Sequence, residues 1–199
     1  MYSYLEGKIE ERNPAYVVID CHGIGYLVNI SLNTYSRIKN LDHCRLFTHH
    51  AIKNEATTPV GFSMYGFFEK SERELFRHLI SVSGVGYNTA ILILSSIPPD
   101  KLVTAIAENN VGALQSVKGI GAKSAQRIII DLKDKIQKGK ISPDLIEISH
   151  NTNRDEALSG LTVLGFSKAN AEKALDKIMK AQGEELPIEE LIKQALKIL

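Results

Sequence analysis

No apolar run in the chain approaches the ~18 residues a bilayer-spanning helix needs, and the opening stretch "MYSYLEGKIE" carries no signal-peptide pattern. A membrane partner is therefore not expected, and the expected location is cytoplasmic. Cysteine is scarce. Cys21 and Cys44 lie beside His22 and His43, but neither pair has the ligand spacing of a structural zinc site, so no metal is expected and the thiols read as half-buried members of a sheet. Charge of one sign is missing too: the formal net charge is +1, which argues against indiscriminate nucleic-acid binding. The phosphate-loop spacing G-x-x-x-x-G-K-[ST] is absent, because "GIGAKS" does not fit it. With no other nucleotide motif in the chain, no cofactor is expected.

What the chain does contain is a composition ordinary for a globular protein, 44% hydrophobic and 24% charged, and an internal repeat. "SGVGYNTA" at 83–90 and "KGIGAKSA" at 118–125 are 35 positions apart. The same offset lays Leu79 on Leu114, Val82 on Val117, Gly84 on Gly119, Val85 on Ile120, Gly86 on Gly121, Ala90 on Ala125 and Ile93 on Ile128. A third Gly-x-Gly, at Gly23 to Gly25, lacks these partners and reads as a tight turn between two strands.

The pattern divides the chain into segments. Residues 1–66 carry strand-like runs ("SYLEGKIEE", "AYVVIDC", "GYLVNIS", "CRLFTHHAIK", and a fifth ending at "SMYGF"), joined at one point by a polar connection, "SLNTYSRIKN". Five short strands fit a small OB-like Greek-key β-barrel, and a sandwich fragment fits almost as well. Residues 67–138 turn to helical periodicity and predict a compact all-α unit of five short helices, with Pro99 in a first turn and Asn110 as a cap. Residues 139–152 read as a linker, and 153–199 as a three-helix bundle whose first helix stops at Gly165. The fold class expected is multidomain α+β.

Each repeat is a helix, a Gly-apolar-Gly turn and a second helix. The glycines let the chain reverse through backbone angles closed to other residues, while Val85 and Ile120 plug the turns into a core. Backbone N–H groups at a helix N-terminus are then left facing outward, a geometry that accepts a phosphate oxygen without reading a base. On the second hairpin Lys118 precedes the turn, and Lys123 and Arg127 lie four apart on one helix face, with Ser124 between them. The first hairpin offers Tyr87, Asn88 and Thr89 instead, so it binds more by hydrogen bonds than by charge. The charge distribution agrees: 67–138 hold ten basic against seven acidic side chains, 1–66 are balanced, and 139–199 are net acidic by two. The competing reading is two packing units whose glycines serve compactness alone.

The order of these parts, together with "YLEGKIEE", "IDCHGIGYLVNIS", "YGFFEKSERELFRHLISVSGVG", "GIGAKSAQRIIIDLKDKI" and "EALSGLTVLGFSKANAEKAL", resembles the RuvA family, the junction-binding subunits of the bacterial Holliday junction branch-migration complex. The resemblance implies a double helix-hairpin-helix domain that grips phosphates of an open four-way junction through Gly84, Gly86, Asn88, Thr89, Lys118, Gly119, Gly121, Lys123, Ser124 and Arg127. It implies a homotetramer or octamer, a UBA-like tail that docks a hexameric RuvB-type ATPase through Leu161, Leu164 and Phe166, and a further partner in a RuvC-type resolvase. It also implies an acidic pin on a barrel loop, here Glu55, that keeps departing strands apart. The chain departs from the family in carrying Tyr87-Asn88 where Pro-Lys is usual, and in a longer pin loop, "KNEATTPVGFSM", with one acid.

Two rival functions stay open at this level. A helix-hairpin-helix DNA glycosylase needs a positioned Asp or Lys one helix downstream, which "ILILSSIPPDKL" and "IIIDLKDKI" do not resemble, so no catalytic residue is expected. An accessory subunit of a structure-specific nuclease would prefer flaps or bubbles over four-way junctions.

Overall fold

The computed structural model describes residues 2–53, 61–137, 153–182 and 186–199. They fall in two compact units, Met1–Ile146 and Glu147–Leu199. Glu55 and the expected linker at 139–152 lie outside the described residues.

The first unit begins with β1 (Tyr4–Asn13), β2 (Tyr16–Cys21), β3 (Ile24–Ile30), β4 (His43–Lys53) and β5 (Gly61–Phe67). They close into a barrel in the order β1-β2-β3-β5-β4. Closure decides for the OB-like barrel against the sandwich fragment, and the one parallel pairing, β3 with β5, is what lets the sheet return on itself. Side chains of period two point inward: Val17 and Ile19 on β2, Val28 and Ile30 on β3, Cys44 and Leu46 on β4 fill the barrel. Burial pushes the Cys44 thiol up to about 11, which makes it an inert core member. Between β2 and β3, Cys21 pairs with Ile24 across a two-residue turn, His22-Gly23. Both turn residues have positive φ, 57° and 88°, the primed-turn geometry whose twist matches the strands. The third Gly-x-Gly is thus a hairpin turn.

The polar connection at 31–40 is in fact mostly a helix, α1 (Leu32–Ile38). Ser31 caps it, its Oγ accepting from the Thr34 N–H at 3.0 Å. Ile38 is fully buried in the barrel core, so the helix closes one end of the barrel. The short segment reads as polar because its buried face consists of only Thr34 and Ile38.

Five helices follow: α2 (Lys70–Ile80), α3 (Tyr87–Ser96), α4 (Pro99–Ala107), α5 (Val111–Gln115) and α6 (Ala122–Gln137). Asn110 caps α5 through the Ala113 N–H at 3.0 Å. The helical core, including Leu75, Phe76, Leu79, Ile93, Leu102, Ile106 and Ile128, runs without a break into Ala51, Tyr65 and Phe67 of the barrel. A second tie is polar. Glu72 on α2 is fully buried and its carboxylate accepts from Ser31 Oγ and, at 2.8 Å, from Thr34 Oγ1. Burial holds its pKa above the ordinary carboxylate value, and the hydrogen bonds from Ser31 and Thr34 oppose that rise. Barrel and helices are therefore pinned as one piece.

The second unit packs α7 (Asn153–Val163), α8 (Lys168–Gln182) and α9 (Ile188–Leu196) around Ala157, Leu161, Ala171, Leu175, Ile178 and Leu191. Gly165, at φ 99°, ends α7. The Phe166 N–H reaches back to the Leu161 carbonyl at 3.2 Å, the bond that closes a helix C-terminus of this type.

Candidate nucleic-acid interface

The repeat seen in the sequence is a repeat in hydrogen bonding. In the first hairpin the Val82 N–H donates to Leu79 O and the Val85 N–H to Val82 O, at 3.1 and 3.0 Å; in the second, Val117 donates to Leu114 and Ile120 to Val117, at 3.2 and 3.0 Å. Val85 and Ile120 are 7% and 6% exposed, so each plugs its turn into the core as expected. Burying such a side chain contributes about 1.5–3 kcal/mol, enough to fix the turn against the helices. Ala90 and Ala125 are fully buried where the paired helices meet.

The four glycines divide differently from the sequence reading. The left-handed backbone falls on the first of each pair, Gly84 at φ 88° and Gly119 at φ 89°. Gly86 has φ −83° and ψ 172°, a conformation open to any residue, and Gly121 likewise lies outside the left-handed region. Nor does packing require glycine there: a Cβ built on Gly86 or Gly121 meets nothing within 4 Å. Neither backbone angle nor packing calls for glycine at these two positions, although each is the N-cap of its helix, where Gly is favoured over Ala. What glycine leaves is open space directly in front of two helix N-termini.

Those N-termini are uncapped donors. In α3 the first intrahelical bond is from the Ala90 N–H to Gly86 O at 3.0 Å, and no side chain caps the turn before it. In α6 it is from Ala125 to Gly121 O at 2.9 Å. The N–H groups of residues 87–89 and 122–124 thus precede the helical ladder, at the positive ends of two helix dipoles.

Side chains complete the face. Lys118, Lys123, Ser124, Arg127 and Asn88 are exposed and Thr89 is half-buried. Arg127 also joins the two hairpins, donating from Nη1 to the carbonyl of Ser83 at 3.3 Å. That places a guanidinium between both turns, with its remaining donors available outward. Along α6, Lys123, Gln126, Arg127, Ile130 and Asp131 line one shallow groove. Gln126 and Ile130 escaped the sequence reading, although their i+3 and i+7 spacing from Lys123 was a usable signal. The contact between Arg127 and Ser83 had no sequence signal at all. Neither did the link from the barrel to the first hairpin, where Tyr65 stacks on Tyr87 with ring centroids 5.6 Å apart.

In the second unit the three expected docking residues separate. Leu161 is fully buried in the bundle core, so its side chain is not presented to a partner, a correction to the sequence reading. Phe166 packs against that core, whereas Leu164 is 60% exposed and its neighbour Val163 is 85% exposed. Of the three expected residues Leu164 is therefore the one presented, beside Val163 at the end of α7, while Leu196, Ile198 and Leu199 are exposed at the end of the unit.

Among the described residues no group of three or more His, Cys, Asp or Glu side chains is placed to hold a metal ion, and no single helix is long and apolar enough to cross a membrane.

Comparison with known proteins agrees with this architecture along the whole chain. Residues 1–58 match the RuvA N terminal domain, 76–134 the SAM-like helix-hairpin-helix tandem, and 152–199 the RuvA C-terminal domain. The Holliday junction branch migration complex subunit RuvA of Flavobacterium psychrophilum is 51% identical over 200 residues, that of Christiangramia forsetii 49% over 199, and that of Cytophaga hutchinsonii 45% over 203, each alignment covering both chains in full. With its closed five-stranded barrel, its paired hairpins and its three-helix tail all accounted for by those matches, the chain belongs to the RuvA family of Holliday junction branch migration complex subunits.

Proposed function

We propose that this chain binds four-way DNA junctions without regard to base sequence and brings a RuvB-type hexameric ATPase to them for branch migration in recombination and repair. The observation that supports it best is the pair Gly86 and Gly121, which neither backbone angle nor packing explains. Glycines kept where a side chain would meet only solvent leave room for a ligand atom, and the N–H groups and cations around them select a phosphate. Each hairpin then holds one backbone, and Arg127 serves both. The chain supplies no catalytic group of its own; the ATPase provides the energy. Copies of the chain assemble as a homotetramer or octamer around the open junction in the cytoplasm, with Glu55 as the acidic pin at the crossover. The tail meets the ATPase through Val163 and Leu164, and a RuvC-type resolvase acts on the same junction.

Competition binding separates this reading from its rivals. Labelled four-way junction is challenged with unlabelled junction, flap and damaged duplex of matched length. Junction alone should compete well. Stronger competition by flaps points to a nuclease accessory subunit, and cleavage of the damaged strand points to a glycosylase.

A further inference from the structure

The two hairpins present different chemistry, and the first is tied to the barrel. Tyr65 on β5 is 3% exposed. Its ring lies over that of Tyr87, the first residue of α3, at 5.6 Å between centroids and 22° between planes. Phe76 stacks behind Tyr87 at 6.3 Å and 25°, and His49 stands 6.0 Å from it. The Tyr65 hydroxyl reaches the next residue, donating to Asn88 Oδ1 at 3.4 Å. Burial, with the neighbouring Tyr87 second, holds the Tyr65 pKa above its ordinary value, so the hydroxyl keeps its proton and remains a donor across the physiological range.

An amide side chain has one acceptor end and one donor end. With Oδ1 engaged by a buried hydroxyl, the donor end of the exposed Asn88 side chain is the end left for a ligand, on the same first turn of α3 as the N–H groups of residues 87–89 that precede the helical ladder. Resting on the junction-binding reading above, we propose that Tyr65 is a positioning residue for DNA binding: through the stack on Tyr87 and the hydroxyl contact to Asn88 it aims the Asn88 amide at a phosphate, giving the first hairpin an uncharged phosphate clamp beside the cationic one of the second. The barrel thereby contributes to binding without touching DNA at this point. The Asn88 contact itself is insensitive to salt because a neutral donor displaces no cation from DNA, and Arg127, which reaches Ser83, carries the salt-dependent share at both hairpins.

The test is a double-mutant cycle on the full-length chain. Tyr65→Phe keeps the ring stack and removes the hydroxyl; Asn88→Ala removes the amide. Junction affinity is measured by fluorescence anisotropy at two salt concentrations for both single variants and the double, with thermal unfolding alongside. Tyr65→Phe should weaken binding roughly two- to tenfold, the range of the neutral hydrogen bond it removes, and Asn88→Ala roughly ten- to a hundredfold, the range of a hydrogen bond to a charged phosphate. The double should be no weaker than the Asn88→Ala chain, and the salt dependence should match the unmodified chain throughout. Asn88→Lys should steepen the salt dependence by about 0.9 in log–log slope and be indifferent to Tyr65→Phe. Effects that multiply in the double variant, or a Tyr65→Phe chain that binds at full strength, would overturn the proposal and leave Tyr65 as packing. A Lys123→Ala, Arg127→Ala chain is the reference: if it loses affinity while these variants do not, only this inference fails, whereas a chain that shows no preference for junctions at all removes the reading on which it rests.

Discussion

Replacing Gly121 by Ala should leave the protein's stability nearly unchanged and make its DNA binding worse. The added methyl meets nothing within 4 Å, and the backbone there lies outside the left-handed region. The unfolded chain loses freedom, a gain of about 0.4–1 kcal/mol, but Ala costs a similar amount as a poorer N-cap of α6 than Gly. Binding does change. The methyl occupies the space in front of the N–H groups of residues 122–124, and a phosphate kept from them forfeits charge-assisted hydrogen bonds worth about 1.5–3 kcal/mol, roughly ten- to a hundredfold in affinity. Gly119→Ala is the opposite case. At φ 89° with nothing nearby, the new side chain strains the backbone by about 1–2 kcal/mol, so this variant should lose stability. Urea unfolding and junction titration on the same preparations measure both quantities. A Gly121→Ala chain that is destabilised by more than about 1 kcal/mol, or that binds junctions at full strength, would refute the view that this glycine serves a ligand rather than the fold.

Two further outcomes follow from the buried groups. Glu72→Gln can accept from only one of Ser31 and Thr34 and turns its NH2 end to the other, so it should cost about 1–3 kcal/mol for the one hydroxyl donor left without an acceptor. Glu72→Leu leaves both hydroxyl donors without one, at about 1–3 kcal/mol each. Because the Glu72 pKa is raised in the folded state, its protonated form is favoured, and the parent chain should gain on Glu72→Gln as pH falls through that raised value, levelling off below the ordinary 4.5. Referring the parent to this variant in unfolding experiments cancels His49, whose lowered pKa has the opposite sign and costs stability as pH falls through 6.5. In the tail, Leu164→Asp should abolish capture of the ATPase while leaving the bundle folded and junction binding intact, since the side chain is 60% exposed; Leu161→Asp should unfold the bundle, since that side chain is fully buried.

The hairpins were legible because both copies answer to the same burial pattern, so the core positions Val85 and Ile120 recur at a fixed offset that composition cannot produce. Which glycine carries the positive φ was not legible, since Gly84 and Gly86 are the same letter and only the hydrogen bonding of the turn tells them apart. The helix α1 was hidden because a seven-residue segment with two buried side chains shows too little periodicity to stand out. Glu72 looks like a solvated residue on an amphipathic helix until Ser31 and Thr34, some forty positions earlier, are brought to it. Leu161 and Leu164 are both apolar and three apart, yet α7 ends between core and solvent, so one is interior and the other surface. The tie from Tyr65 to Asn88 depends on barrel closure setting β5 against α3, a long-range fact without local trace.

The central claim is that the paired hairpins hold junction phosphates, and the salt dependence of junction affinity tests it most directly. Binding constants for a four-way junction are measured across a range of salt for the parent chain and for the Lys123→Ala, Arg127→Ala variant, with a linear duplex of equal length beside each. The parent should prefer the junction, and its log–log slope should fall by roughly 0.9 for each phosphate contact the variant loses. An unchanged slope, or equal affinity of the parent for duplex and junction, would contradict the account.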